Sequence, residues 1–504
     1  MNRKWVGSLL IVILLGIGGW MFFNSFYNSG GQYDTDSKEG ISILEVDAQE
    51  AGERPIKTFD LTAQATEWDI GEEKKVNAWT YNGTVPGEAL RVTEDDFVRV
   101  HLKNELDVPV TIHWHGVILP NKMDGVPGLT QDAVQPGESF TYEFIANDPG
   151  TYWYHSHQHS AVQVDKGLYG SFVIEKKEPE YERDEFFLLD EWATGSDSQN
   201  SLNMGGMRQG HMSGDGEMDT KQLYNTFTVN GKIGKDIEPL VMEKGETARL
   251  RFVNAGYQQH QLVFPEGSMK VIANDAGEVT GEKGSSQVVE IAPGERIDVA
   301  YTKQGEETEV IAENPVVENA EDMKIPVVSK ENGDIQNSIP VSSSSDIADG
   351  TSYGSEELLF ETTPEADVTY DMDLSMGMTM GEGMSFQIND QTFPETPPIR
   401  VEEGNIVKVH ITNSGMMNHP MHLHGHRFQV ASKNGTAYGN PIVKDLIHVK
   451  PGEEYVVYFE ANNKGEWLFH CHDNNHADLG MVTVVDYQGV YSPFNIEEQL
   501  RSTN

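Results

Sequence analysis

The chain has 504 residues, with 36 Lys plus Arg against 80 Asp plus Glu and a formal charge of -44. That balance argues against nucleic-acid binding and favours solubility and attraction of cations. The length suffices for about three domains of ordinary size, and with one cysteine in the whole chain no internal disulfide can form.

The N-terminus reads Met1-Asn2-Arg3-Lys4, followed by a mostly apolar run from Trp5 to Phe23. The run is close to bilayer-spanning length, and its basic flank is expected to stay inside. Residues 1–28 are therefore expected to be a membrane anchor or a signal segment. The body is expected at the outer face of the cell membrane, or secreted if the chain is cut near Ser29-Gly30. Residues 29–50 are small and polar, which reads as a tether. No Arg-Arg pair is present, so the unfolded chain is expected to be exported and to gain its metal outside.

From Pro55 onward, short runs of alternating apolar residues are separated by Gly, Pro, Asn and Asp, the pattern of β-sandwiches. One plan occurs three times. Tyr81-Asn82-Gly83, Val229-Asn230-Gly231 and Ile388-Asn389-Asp390 each precede a strand ending at Asn104, Asn254 and Asn413. A second landmark keeps the same register: Pro136-Gly137-Glu138, Pro293-Gly294-Glu295 and Pro451-Gly452-Glu453. The expected fold is all-β, three consecutive Greek-key sandwiches over 51–178, 179–330 and 353–504. The serine-rich stretch around Ser342-Ser343-Ser344-Ser345-Asp346 lies in a linker over 331–352.

The first and last repeats carry four His-x-His pairs: His113/His115, His155/His157, His422/His424 and His470/His472. On a strand, each pair presents two imidazoles to one face. Eight imidazoles suit three coppers carrying two, three and three ligands, expected where the first and last domains meet. Cys471 sits between His470 and His472, and strand alternation points it the opposite way. With His419, His476 and Met481 it makes the one-thiolate, two-imidazole, distant-thioether set of a blue-copper site. The serine of His155-Ser156-His157 stands where a thiolate would be. The middle repeat has only Gln259-His260-Gln261, so it carries no copper site and is expected to act as a spacer.

These four motifs together resemble the multicopper oxidases, within them the bacterial laccase-like and copper-resistance enzymes of three cupredoxin domains, over about residues 55–487. The resemblance implies four coppers per chain. Type 1 copper is held by His419, Cys471, His476 and the axial Met481, and type 2 copper by His113 and His422. The type 3 pair is held by His115, His155, His157, His424, His470 and His472. It implies that four single electrons pass from a donor through Cys471 and its neighbours His470 and His472 to dioxygen, making water. The donor classes are phenols and aromatic amines, or Cu(I) and other low-valent metal ions. A different reading is a copper-resistance protein that sequesters Cu(I) through its methionines.

Asp124 matches the family's carboxylate near type 2 copper, against the plainer reading of an Asp-Gly turn with Gly125. Where several relatives carry a proton-relaying glutamate after the second blue-site histidine, this chain has Ala477, followed by Asp478. Asp478 or Asp473 are the substitutes at hand. Methionines gather at Met204, Met207, Met212 and Met218 and again at Met372, Met376, Met378, Met380 and Met384. Thioethers suit Cu(I), and methionine also serves as adaptable core filler.

Overall fold

The computed structural model describes residues 40–47, 49–194, 224–280, 287–305, 308–313, 323–329, 347–379 and 383–496. Almost all of its regular structure is β. Six larger sheets form three successive pairs, of four and four, seven and six, and six and five strands. Strands between Ile56 and Glu175 build the first pair, those between Asp184 and Ser355 the second, and those between Val368 and Tyr487 the third.

Alternation decides what each strand buries. In Ile406–Asn413, the side chains of Val407, Val409 and Ile411 are fully buried while Lys408 and His410 face outward. The repeated asparagines turn out to be structural ties. Asn82, Asn230 and Asn389 each adopt a positive φ in a turn, and each side-chain oxygen accepts a backbone N–H, from Thr62, Leu188 and Asp373 respectively. Asn104, Asn254 and Asn413 close the next strand. Each amide there donates to two backbone carbonyls, for Asn413 those of Met417 at 2.7 Å and Val449 at 3.0 Å. Buried polar backbone must be partnered, so one asparagine per repeat satisfies a loop and an adjoining strand end together.

A single apolar core runs through the first and third sandwiches, while the middle one has its own. The first and third therefore meet as one packed body, and most residues at that seam are buried. Residues 40–47, expected within the polar tether, are instead pinned to this body. Ile41–Ser42 pairs in parallel with Val490–Tyr491, and Ile43 is fully buried because its apolar side chain gains by leaving water. No helix among the described residues is long and apolar enough to cross a membrane. The run 5–23 and the methionines at 204–218 lie outside the described residues.

Candidate metal centres

Strand Glu466–Cys471 is buried at every position and pairs with His419–Leu423, setting Met421 opposite Cys471 and His422 opposite His470. Cys471 faces the interior of the third sandwich. Its Sγ lies 3.7 Å from His419 Nδ1 and 3.6 Å from His476 Nδ1, and those nitrogens are 3.2 Å apart. Three donors held trigonally at bond lengths of about 2.0–2.3 Å stand about 3.5–3.8 Å apart. The triangle is close to the size of a ligand set.

Met481 is buried, its carbonyl accepts from Cys471 N at 3.1 Å, and its own N–H donates to His476 O at 3.0 Å. His476 rides on the short helix Asn474–Asp478, whose first turn is capped by the Asp473 carboxylate accepting from Asn475 N and His476 N. Phe386 stacks on the His476 ring, with centroids 3.8 Å apart.

On the opposite side of the same strand, His470 and His472 join the other three pairs at the seam between first and third sandwiches. Three groups of buried or half-buried imidazoles converge there: His113 with His115 and His422, His115 with His155 and His472, and His157 with His424 and His470. One nitrogen of most rings is tied down. His113 Nδ1 donates to Asp124 O at 2.8 Å, His422 Nδ1 to Asp445 O at 3.0 Å and His424 Nδ1 to Asp124 Oδ2 at 2.8 Å. His155 and His470 donate theirs to the carbonyl of the next residue.

Of the other nitrogens, His424 Nε2 and His470 Nε2 lie 2.9 Å from each other, and most of the rest have nothing to bond. Nε2 of His113, His155, His157 and His422, and both ring nitrogens of His115 and His472, are buried without a hydrogen-bond partner. Buried polar atoms are normally satisfied. Burial also pushes His115, His155, His157, His422, His424 and His472 well below the ordinary histidine range, and His470 to about 4. Converging neutral imidazoles with spare nitrogens are what metal ions require. The residues present therefore fit a group of coppers at the seam and one more at Cys471.

Asp124 is 1 % exposed, and burial lifts its carboxyl against the opposing pull of His113. Its Oδ1 lies 3.2 Å from His113 Nδ1 while Oδ2 holds His424, so one carboxylate touches a ring from each side of the seam. Asp473 is engaged in its helix cap, and burial pushes it to about 6. Asp478 is exposed as a residue, yet burial of its carboxyl, which accepts from the backbone of Ala161, pushes it up to about 7.

Ser156 is fully buried and donates to Gln163 Oε1 at 2.6 Å, so a hydrogen bond occupies the place of a thiolate. His260, six residues after Asn254 as His419 is after Asn413, is buried, and its Nε2 lies 3.4 Å from Glu191 Oε2. Met372 is core, Met376 and Met384 are partly buried, and Met378 is 78 % exposed. Two contributors escaped the sequence reading, Phe386 over His476 and Asp445 behind His422. No local pattern marks either.

Three models of the multicopper oxidase family match the chain, over residues 62–179, 188–310 and 362–489. The multicopper oxidase MmcO of Mycobacterium tuberculosis is 30 % identical over 473 residues, covering 88 % of this chain and 90 % of that protein. A copper resistance protein A homolog of Pseudomonas syringae pv. tomato is 26 % identical over 548 residues, covering 85 % and 92 %. The crystal structure of a multi-copper oxidase from Pseudomonas thermotolerans superposes with a TM-score of 0.65 at 26 % identity, covering 86 % of this chain and all of that one.

Proposed function

We propose, from the premise that this chain belongs to the multicopper oxidase family, that its donor is a low-valent metal ion, Cu(I) foremost. The protein is a copper-dependent oxidoreductase that couples four one-electron oxidations of a donor to the reduction of dioxygen to water. Its three sandwiches are read as cupredoxin-like domains. We assign His419, Cys471, His476 and Met481 to type 1 copper and His113 and His422 to type 2 copper. The type 3 pair is assigned to His157, His424 and His470 on one side and His115, His155 and His472 on the other.

When bound, the coppers supply the one-electron steps and the site of dioxygen reduction. The chain's own residues do the rest. Cys471 is covalently continuous with His470 and His472, so the two centres are joined by the backbone of one strand. Asp124, Asp445 and the carbonyls of Ser156 and Cys471 hold the rings in the tautomer that leaves a nitrogen for metal. The shared apolar core buries most of the seam, and Asp124 is the carboxyl placed to hold a proton beside His113 and His424.

The donor reading is carried by Met378. It pairs across the strands with Met384, and Met384 shares a sheet face with Phe386, the ring stacked on His476. A 78 % exposed thioether beside the route to His476 suits a soft cation, drawn in by a net charge of -44. The name of the copper resistance relative agrees with that donor. Oxygen uptake by the copper-loaded enzyme, with Cu(I) and with a simple phenol, tests it. Replacing Met378 and Met384 together by leucine is expected to slow Cu(I) oxidation and spare the phenol. A phenol oxidised faster than Cu(I), with neither rate changed by the substitutions, makes the donor an organic molecule.

We also infer that residues 5–23 tether the enzyme to the outer face of the membrane, because the run is long, apolar and preceded by Arg3 and Lys4. Fractionation of cells carrying the full chain and a chain without residues 1–30 should find only the former in membranes.

A further inference from the structure

The middle sandwich contributes none of the twelve assigned ligands, yet its turn Pro293-Gly294-Glu295-Arg296 reaches the seam. Gly294 packs against a ligand itself, since a Cβ there would lie 2.8 Å from His472 Cγ. Arg296 is fully buried and each nitrogen of its guanidinium donates to an acceptor. Nη1 and Nη2 clasp both carboxylate oxygens of Asp445 at 2.7 and 2.5 Å. Nη2 also donates to Asp275 O at 2.6 Å, Nε donates to Thr151 O at 3.2 Å, and Nη1 lies 3.3 Å from Asp275 Oδ1. The neighbouring Lys444 is gripped by the same domain, through Asp275 at 2.6 Å and Glu295 at 2.8 Å.

Asp445 is the residue behind His422. Its carbonyl accepts His422 Nδ1 at 3.0 Å and Leu423 N at 2.9 Å, and its Oδ1 is 3.7 Å from the same ring nitrogen. The first sandwich closes the arrangement with Gly116, next to His115. Gly116 has φ +83°, and a Cβ on it would collide with Arg296 Nη2 and Asp445 Oδ2. Three domains thus meet at one ion pair, directly behind His422, one of the two imidazoles assigned to type 2 copper.

We propose that Arg296 is a positioning residue for that copper, locking Asp445 so that His422 is held in one tautomer and one orientation toward His113. Buried ion pairs add little net stability when well-packed apolar residues are the alternative. What this one supplies is geometry: a rigid fork matched to a carboxylate, which a lysine cannot reproduce. Ring orientation set from behind a ligand governs metal affinity, typically by about 10–100-fold.

The proposal rests on the ligand assignment above, and the experiment separates the two. The full-length, copper-loaded enzyme is compared with Arg296→Lys and with the double variant Arg296→Gln/Asp445→Asn, which removes both charges and so leaves no lone buried carboxylate at the pair. Copper per chain, the paramagnetic resonance of the non-blue copper and the blue absorption are read together.

Both variants are expected to bind type 2 copper about tenfold or more weakly, with altered hyperfine splitting of its resonance and unchanged blue absorption. A full copper complement with the parent resonance in both variants would overturn the role of Arg296. Equal loss of the blue and non-blue signals would also overturn it, by showing a general structural effect. A parent enzyme with the blue signal but no second resonance would sink the ligand assignment, and the proposal with it.

Discussion

Asp124 Oδ2 and His424 Nδ1 lie 2.8 Å apart, across 300 residues of sequence and the seam between the first and third sandwiches. The same carboxylate faces His113 Nδ1 at 3.2 Å. In the assignment proposed above, it therefore touches one type 2 ligand and one type 3 ligand. Asp124→Ala, which removes both contacts and the nearest ionisable proton carrier, is expected to lower oxygen consumption by about 10–100-fold. The blue absorption should persist, because His419, Cys471 and His476 are not touched. A parent-like turnover number in the fully copper-loaded variant would refute the role.

Cys471 is fully buried, and burial holds its thiol well above the ordinary cysteine range. Copper takes the thiolate, so loading this site must expel a proton and becomes harder as pH falls. Cys471→Ser should lose the blue colour and the oxidation of every donor. In weakly buffered copper titrations it should also release one proton fewer than the parent. Steady-state oxidation surviving in that variant would contradict a relay through this strand.

His157 belongs with His424 and His470 and not with the sulfur. Its replacement by alanine is expected to leave the blue absorption largely intact while oxygen uptake collapses. Simultaneous loss of both would mean that the two centres are not separable as assigned.

Glu466 opens the strand that ends in Cys471. It is 6 % exposed, with Oε1 accepting from Ser492 N at 2.9 Å, and burial pushes its carboxyl from 4.5 to about 8. The folded state thus binds the proton more tightly than the unfolded chain. The resulting stabilisation is complete below 4.5, is lost as pH rises through about 8, and changes no further above that. Denaturant midpoints taken at about pH 5 and about pH 9 should differ more in the parent than in Glu466→Gln, by on the order of a few kcal/mol at most. Identical pH profiles for the two proteins would show that Glu466 ionises freely.

The candidate site was unusually legible because its chemistry is written in local spacing. His-x-His on a strand puts two rings on one face whatever the rest of the chain does, and a cysteine between two histidines must face away from them. The repeated asparagines were visible as landmarks, though their reason was not: each ties a loop to an adjoining strand end. Ser156 and His260 stand at positions where the other repeats carry ligands, and the structure shows Ser156 engaged in a hydrogen bond to Gln163.

Residues 40–47 were misread as tether because their polarity outweighed one apolar side chain, Ile43, whose burial depends on a groove formed by distant segments. The sequence leaves open which carboxylate stands in for the glutamate absent at Ala477: Asp473 caps the first turn of the helix, and burial pushes the Asp478 carboxyl up to about 7.

By itself the sequence determined the all-β class, the three repeats, the family resemblance and the candidate residues of both centres, since each follows from residue type and short-range periodicity. Tertiary structure alone decided which ring each supporting group serves. Asp445 backs His422 from 23 residues away, Arg296 grips Asp445 from 149, and Phe386 lies over His476. Those pairings depend on sheet register and on how three domains dock. Neither is encoded in any window of the chain, because both are set by the summed packing of surfaces that meet only after folding.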